Sequence, residues 1–373
     1  MKIDFYRHSL DETDIAAAVD TLRSLFLTSG PMCKQFEEAF ARRVGLNHAV
    51  SLSSCTAALH LGLLALGIGP GDEVITTPMT FIASATSIIH TGATPVLADV
   101  EPETGLLSPE AVRRAITDRT KAILPVHLYG TMADMKAFRK IADEYNLAIL
   151  EDAAHCIEAE RDGMRPGDLS QGACYSFYAT KNLTCGEGGG FATNDEALAE
   201  KVRLLRQHGM NKEAADRYHG KFMHWDMVEL GWKYNLSDIN AALLVHQIER
   251  LDDLWEGRRA VHDAYVEALA DIPQVDVPPV YGKGAYHLFT IQVPEGARDG
   301  LLSYLTGKEI GVAVNYRAIH TLSWFRKEFG YDTEEFPEAL RIGRRTLSLP
   351  FYPGLSVEQI GRVADAVKCF FAG

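Results

Sequence analysis

The chain has 373 residues, too many for one simple core, so a large domain and a smaller one are expected. Hydrophobic residues make up 47% and charged residues 23%, the balance of a soluble globular protein. The net charge of -13 (37 basic, 50 acidic residues) argues against a general nucleic-acid-binding surface, which needs clustered positive charge. The six cysteines (Cys33, Cys55, Cys156, Cys174, Cys185 and Cys369) form neither a CxxC pair nor a zinc-site spacing. They read as reduced thiols of a cytoplasmic protein, with no metal site. The start, MKIDFYRHSLDETD, has no apolar signal core, and the apolar runs are too short to span a membrane.

Residues 12–27 (ETDIAAAVDTLRSLFL) read as an amphipathic helix that TSGP at 28–31 breaks. A second helix is predicted over 34–44, a strand over 48–54 and an apolar helix over 56–66. A strand at 72–77, a helix at 81–92 and a strand at 95–100 follow. A helix over 109–116 leads to the buried strand 122–127, then a helix over 132–146 and a strand over 147–153. This alternation implies an α/β fold, a mostly parallel sheet with helices on both faces. Short strands at 175–179 and 189–194 flank a glycine-rich loop, and a helix near 195–207 follows. Residues 210–233 read as a long functional loop. One long helical pattern runs from Ser237 to about Ala270. Beyond it, strand-like runs at 287–293 and 312–316 mix with helices near 298–307 and 356–371. The expected division is a large α/β domain over 1–245 and a smaller α+β domain over 246–373, opened by the long helix.

Three places carry chemistry. The strand LAILEDAAH runs apolar and ends in Glu151-Asp152, and open α/β sheets bind ligands at the carboxyl ends of their strands. An Asp there can meet a cationic ring nitrogen such as that of pyridoxal phosphate, which needs a carboxylate to stay protonated. Taken alone, Asp152 is more often a helix cap. Lys181 sits in FYATKNLTCGEGGGF, after another apolar run. A Schiff-base lysine must lose its proton, and burial lowers its pKa for that task. Most lysines are instead solvated loop residues. Ser53-Ser54-Cys55-Thr56 joins a strand to a helix, whose unpaired first N–H groups can cradle a phosphate. An ordinary N-cap is the alternative. Phe81 can stack on a flat ring or pack a core. Ser176, alternating with Tyr175 and Phe177, can point into the same pocket as Lys181.

Four segments in this order and spacing resemble the DegT/DnrJ/EryC1/StrS family of sugar aminotransferases: SLSSCTAALHLGLLALGIGPGDEVITTPMTFIASA, EDAAHCIEAE, YSFYATKNLTCGEGGGFATND and KYNLSDINAALLVHQIERL. The resemblance runs from about Leu27 to Phe371. It implies a pyridoxal-phosphate-dependent transferase of fold type I, like aspartate aminotransferase, working as a homodimer with shared sites. KN-(I/L)-TC before EGG, and KYNL-(S/T)-DINAA, make the chain most like members that aminate C4 of a UDP-linked 4-keto sugar.

Carried over by position, the resemblance makes Lys181 the Schiff-base lysine and proton carrier and pairs Asp152 with the pyridine nitrogen. His155 lies near the ring oxygen, where many relatives carry Gln. Phe81 stacks on the ring, and Cys55, Thr56 and Ser176 hold the phosphate. Asn235 reaches the phosphate of the neighbouring subunit. Ser29, Gly30, Tyr316, Arg317 and His320 are expected to bind substrate, Arg317 offering a fork for a diphosphate or the carboxylate of L-glutamate. Tyr316 and His320 packing a domain interface is the alternative. The implied reaction is a ping-pong transamination from L-glutamate to a nucleotide-linked keto sugar, for polysaccharide or glycoconjugate biosynthesis. The rivals are a 3-keto or dTDP- or GDP-linked substrate, a pyridoxal-phosphate-dependent sugar dehydratase and a pyridoxal-phosphate-binding regulatory protein. Dehydratases that replace the lysine by histidine are disfavoured by Lys181. A NAD-dependent enzyme lacks its glycine fingerprint here.

Overall fold

The structure, a computed structural model, describes residues 2–211 and 224–373. Of the loop expected over 210–233, residues 212–223 lie outside the described residues. Helix α1 (Glu12–Arg23) opens with a capping box, in which the Asp11 carboxylate takes the Thr13 and Asp14 N–H groups and the Asp14 carboxylate takes that of Asp11. Helix α2 (Pro31–Val44) begins at Pro31, earlier than the pattern suggests, because a proline in the first turn has no N–H to lose.

Seven strands follow: β1 (His48–Leu52), β2 (Glu73–Thr76), β3 (Thr94–Leu97), β4 (Thr120–Ile123), β5 (Ala148–Asp152), β6 (Gly172–Ser176) and β7 (Gly189–Thr193). They form one sheet in the order β1-β7-β6-β5-β4-β2-β3. Only β7 runs against its neighbours; the other pairings are parallel. The α/β fold expected from the alternation is thus present. Helices α3 (Cys55–Ala65), α4 (Ala83–His90), α5 (Pro109–Ala115), α6 (Met135–Tyr145) and α7 (Glu196–Leu205) connect and cover it. Successive strand residues point to opposite faces. Ile75, Ile123, Ile149 and Ala173 therefore enter one core, and Val74, Ala122, Leu150 and Cys174 the other.

The long pattern after Ser237 is two helices, α8 (Asp238–Glu249) and α9 (Leu251–Leu269). Arg250 separates them, its guanidinium bonded to Asp14 at 2.7 Å and to Asp11 at 3.1 Å at the start of α1. Then come β8 (Phe289–Gln292), α10 (Arg298–Gly307), α11 (Ser323–Phe329), α12 (Pro337–Arg345), β9 (Thr346–Leu349) and α13 (Val357–Ala372). β8 and β9 pair antiparallel. With α9, α10 and α13 they enclose a second core.

The elements differ from the sequence reading in several places. Ile3 belongs to the second core and bridges to Ile310, so the first residues pack with the C-terminal unit rather than the large sheet. The strand expected over 312–316 is an extended segment with a single bridge, Ala313 to Ser348. Helices α11 and α12 and strand β9 are additional, and Phe325, Ala339 and Ile342 of the two helices pack into the large core. Among the described residues no helix is long and apolar enough to cross a membrane.

Candidate active site

Because β7 alone is reversed, the last residues of β1, β2, β5 and β6 and the first of β7 meet at one edge of the sheet. A cavity of about 530 Å³ opens there. Cys55, Thr56, Phe81, Asp152, His155, Ser176, Lys181 and Tyr316 all line it. These residues are spread over more than 250 sequence positions, and the sheet edge brings them together.

Asp152 ends β5 and is 5% exposed. Ser84 Oγ donates to its Oδ2 at 2.8 Å and the Ala154 N–H to its Oδ1 at 3.1 Å. No helix starts after it, so the capping alternative falls. Burial pushes its pKa up, while the Ser84 hydroxyl and Ala154 N–H pull it down. A cation placed beside it in the cavity would relieve that burial penalty. Glu151, one residue earlier, is committed elsewhere: it accepts from Ser170 Oγ (2.5 Å), from the Gly167 N–H (2.8 Å) and from the His127 ring nitrogen Nε2 (2.6 Å). Alternation along the strand thus separates a structural carboxylate from one that lines the cavity.

Lys181 follows β6 in a tight turn, its N–H bonded to the Tyr178 carbonyl at 2.9 Å. Desolvation lowers its pKa to about 8, against the pull of Cys55, Asp152 and Cys156. An amine so placed is partly neutral near pH 8, as a nucleophile or base requires.

The turn into α3 is built for an anion. Ser54 caps the helix by accepting the Ala57 N–H at 3.1 Å, which leaves the first-turn N–H groups of Cys55 and Thr56 without helical partners. Gly189 lies directly beneath. A Cβ on it would sit 2.2 Å from the Ser54 carbonyl carbon, so only glycine lets β7 pass under the turn. Phe81, 56% exposed, faces the cavity mouth, its ring centroid 6.0 Å from that of Tyr316. His155 accepts the Tyr129 N–H at Nδ1 (3.2 Å), so Nε2 carries the proton and meets Tyr316 Oη at 3.3 Å. Burial holds this imidazole neutral.

Other expected residues lie elsewhere. Arg317 is exposed and does not line the cavity. His320 is fully buried, donating from Nε2 to the Thr333 carbonyl at 3.0 Å and meeting the Phe336 ring edge-on at 5.0 Å. The short 3-10 turn Ile319–Thr321, tied to the Pro78 carbonyl through the Ile319 N–H, turns it inward. Neither Arg317 nor His320 lines this cavity, and His320 packs inward against Phe336.

Ser29, Gly30 and Asn235 meet at a third place. Asn235 Nδ2 donates to Ser29 Oγ (2.8 Å) and Thr28 Oγ1 (3.0 Å). Gly30 caps α2, and its N–H goes to the Asp238 carboxylate at 2.7 Å; a Cβ there would strike that carboxylate. Ser29 and Gly30 border a separate cleft of about 620 Å³ that holds neither Lys181 nor Asp152. Within one subunit this group does not reach the Lys181 cavity.

Sequence reasoning missed Ser84, His287 and Asn182. Ser84 lies on the expected helix 81–92, but only the fold brings it to Asp152, 68 positions away. His287 lines the cavity with Nε2 3.4 Å from Lys181 Nζ, and its ring centroid is 4.3 Å from that of His155. Behind it Asn182 meets the buried Glu158–Arg258 ion pair. Breaking such a pair by removing one partner typically costs about 3–5 kcal/mol, so this wall of the cavity is stiff.

The model of the DegT/DnrJ/EryC1/StrS aminotransferase family matches residues 8–368. The spore coat polysaccharide biosynthesis protein SpsC of Bacillus subtilis (strain 168) is 42% identical over 372 residues, covering 98% of this chain and 96% of SpsC. Among solved structures, S. venezuelae DesV in complex with a ketimine intermediate superposes with a TM-score of 0.90 at 36% identity, covering 99% of this chain and 98% of DesV. A putative sugar aminotransferase from Streptococcus pneumoniae in its PMP form gives a TM-score of 0.92 at 28% identity, covering 99% and 98% of the two chains.

Proposed function

The chain belongs to the DegT/DnrJ/EryC1/StrS aminotransferase family, and from that premise we propose that it moves an amino group from L-glutamate to C4 of a UDP-linked 4-keto sugar. It is a sugar aminotransferase of fold type I, and its cofactor is pyridoxal 5'-phosphate. The likeness to SpsC supports a place in polysaccharide biosynthesis.

The observation that carries the reading is the pairing of Lys181 and Asp152 in one buried cavity beside the α3 turn. The residues fit the cofactor. Gly189 clears the space beneath a helix start that offers N–H groups and the Thr56 hydroxyl to a phosphate. Ser176 lines the same wall, and Phe81 offers a ring face. Asp152 would keep the cofactor's ring nitrogen protonated, and the neutral His155 would offer the cofactor its Nε2 proton. Bound there, pyridoxal phosphate supplies an electron sink for negative charge on carbon. Lys181 is the residue that would hold the cofactor covalently. Its amine, once free, would take a proton from one reacting carbon and deliver it to the other within each half-reaction. Tyr316, at the cavity wall, contacts the sugar.

Asn235 reaches the phosphate of the cofactor in a second copy, which makes the homodimer the working unit. A mixture of Lys181→Ala and Asn235→Ala chains is expected to regain activity, because some dimers then hold one intact site. Stable mixed dimers with no recovery would make Asn235 a structural residue, bonded within its own chain to Thr28, Ser29 and the Leu236 carbonyl.

The substrate reading is tested with ¹⁵N-labelled L-glutamate and a panel of UDP-, dTDP- and GDP-linked 3-keto and 4-keto sugars, read by mass spectrometry. The label is expected in the UDP-linked 4-keto sugar, with 2-oxoglutarate formed in equal amount. Preferential labelling of a 3-keto or dTDP-linked sugar contradicts the assignment, and loss of a hydroxyl without label indicates a dehydratase.

A further inference from the structure

We propose that His287 is a positioning residue for Lys181: a buried relay of side chains fixes its imidazole in the tautomer whose bare nitrogen faces Lys181 Nζ. The relay starts 29 positions earlier in sequence, at Arg258. Its guanidinium bonds Glu158 Oε1 at 2.5 Å, with both side chains at most 4% exposed. The other Glu158 oxygen accepts from Asn182 Nδ2 at 3.2 Å, and the Ala285 carbonyl accepts from the same Nδ2 at 2.9 Å. Flipping the Asn182 amide would press its oxygen against a carboxylate and a carbonyl at once, so its orientation is fixed.

Asn182 Oδ1 therefore faces His287, with Nδ1 3.2 Å away. An amide oxygen only accepts, so Nδ1 carries the imidazole proton. In a neutral ring that leaves Nε2 bare, 3.4 Å from Lys181 Nζ. Burial, with Lys181, His155 and Arg258 nearby, holds the ring neutral. His155, itself pinned by the Tyr129 N–H, lies at a tilt against the His287 ring.

This arrangement bears on what the lysine can do. A neutral amine has two protons and one lone pair. Donating one N–H to His287 directs the lone pair away from His287, toward the cavity. When Lys181 takes up a proton, the same hydrogen bond becomes charge-assisted and strengthens. The opposite tautomer would put an N–H against Nζ and consume the lone pair. The relay thus keeps Lys181 aimed as a base each time it is released from the cofactor. Asp152, Cys55, Cys156, His155 and His287 are the titratable groups that face it.

The inference rests on Lys181 as the cofactor lysine, and its test separates the two. In the full-length chain without cofactor, ¹⁵N–¹H spectra of the histidine rings report the tautomer, with His287 assigned from its absence in His287→Gln. The Nδ1–H form is expected, and an Nε2–H form overturns the proposal without any loss of fold entering. In the same state, labelling of Lys181 by acetic anhydride across pH is expected to show a midpoint at about 8. His287→Phe should lower that midpoint, since the ammonium loses its acceptor. It should also cut kcat by about 10- to 100-fold, part of the ~10²–10⁴ that a general base contributes, with both KM values little changed. His287→Gln, which can offer a carbonyl to Lys181 and an N–H to Asn182, should restore most of the rate. An unmoved midpoint in His287→Phe, or equal losses in the Phe and Gln variants, overturns the proposal. Borohydride fixation of the cofactor after these preparations are reconstituted with pyridoxal phosphate reports on the lysine assignment alone.

Discussion

Lys181→Ala is expected to fold and to retain the cofactor non-covalently, yet to lose turnover by about 10³-fold or more. The fold should survive because the lysine's hydrogen-bonding side-chain contact is His287, at 3.4 Å, and no buried ion pair is broken. The phosphate turn, Phe81 and Asp152 lie on other elements and stay in place. What disappears is the one amine in the cavity whose burial brings its pKa to about 8. At neutral pH that amine can give up its proton; an ordinary lysine, with a pKa of about 10.4, stays an ammonium. Added small primary amines should restore part of the rate by entering the space the side chain leaves. The check is single-turnover kinetics for each half-reaction alongside a melting curve. A variant within tenfold of the parent rate would remove Lys181 from the chemistry.

Asp152→Asn is the second large effect, a loss of about 10²-fold or more in kcat with the fold intact. Asparagine keeps the shape and one acceptor oxygen, so the Ser84 hydroxyl and the Ala154 N–H can still be accommodated. Ser84 also has Thr80 Oγ1 at 2.8 Å as a second partner. The substitution removes only the negative charge. Without it nothing in the cavity holds a proton on the ring nitrogen, and the ring accepts electrons poorly. The bound cofactor's absorbance against pH should change in parallel, since the ring nitrogen then titrates without its counter-charge. Near-normal turnover would reduce Asp152 to a structural acceptor for Ser84 and Ala154.

The parts of this site legible in the sequence share one property: each follows a strand that can be recognised locally. LAILED runs apolar into Asp152, YSFYA into the Lys181 turn and HAVSLSS into the α3 turn. In a parallel sheet the ends of such strands meet by construction, so reading the strands locates the residues. The fold class followed from the same alternation. What was not legible depends on long-range packing. Ser84 and Asp152 are 68 positions apart, and Arg258 and Glu158 are 100 apart. Arg258 sits on a charged helix where nothing local separates it from solvated neighbours. Glu158 lies inside the quoted EDAAHCIEAE segment, yet its role appears only with Arg258 and Asn182 around it. His287 opens the run expected as a strand over 287–293, but nothing local marks its side chain as a neighbour of Lys181.

The burial of His320 was hidden for the opposite reason. Its closeness to Tyr316 in sequence suggests a shared pocket, but the 3-10 turn Ile319–Thr321 that holds His320 sends it into the core against Phe336, while Tyr316 lines the cavity. The helix break at Arg250 is hidden for a related reason. Leu251 and Val245 keep the apolar pattern going, while the Arg250 side chain reaches out to Asp14 and Asp11.

Reduction of the purified holoenzyme with borohydride, followed by peptide mapping, tests the central claim most directly. The cofactor's visible band should bleach, and the added mass should appear on one peptide, at Lys181, in an amount that matches the cofactor bound. Fixation at another lysine, or a protein that takes up no pyridoxal phosphate on reconstitution, contradicts it.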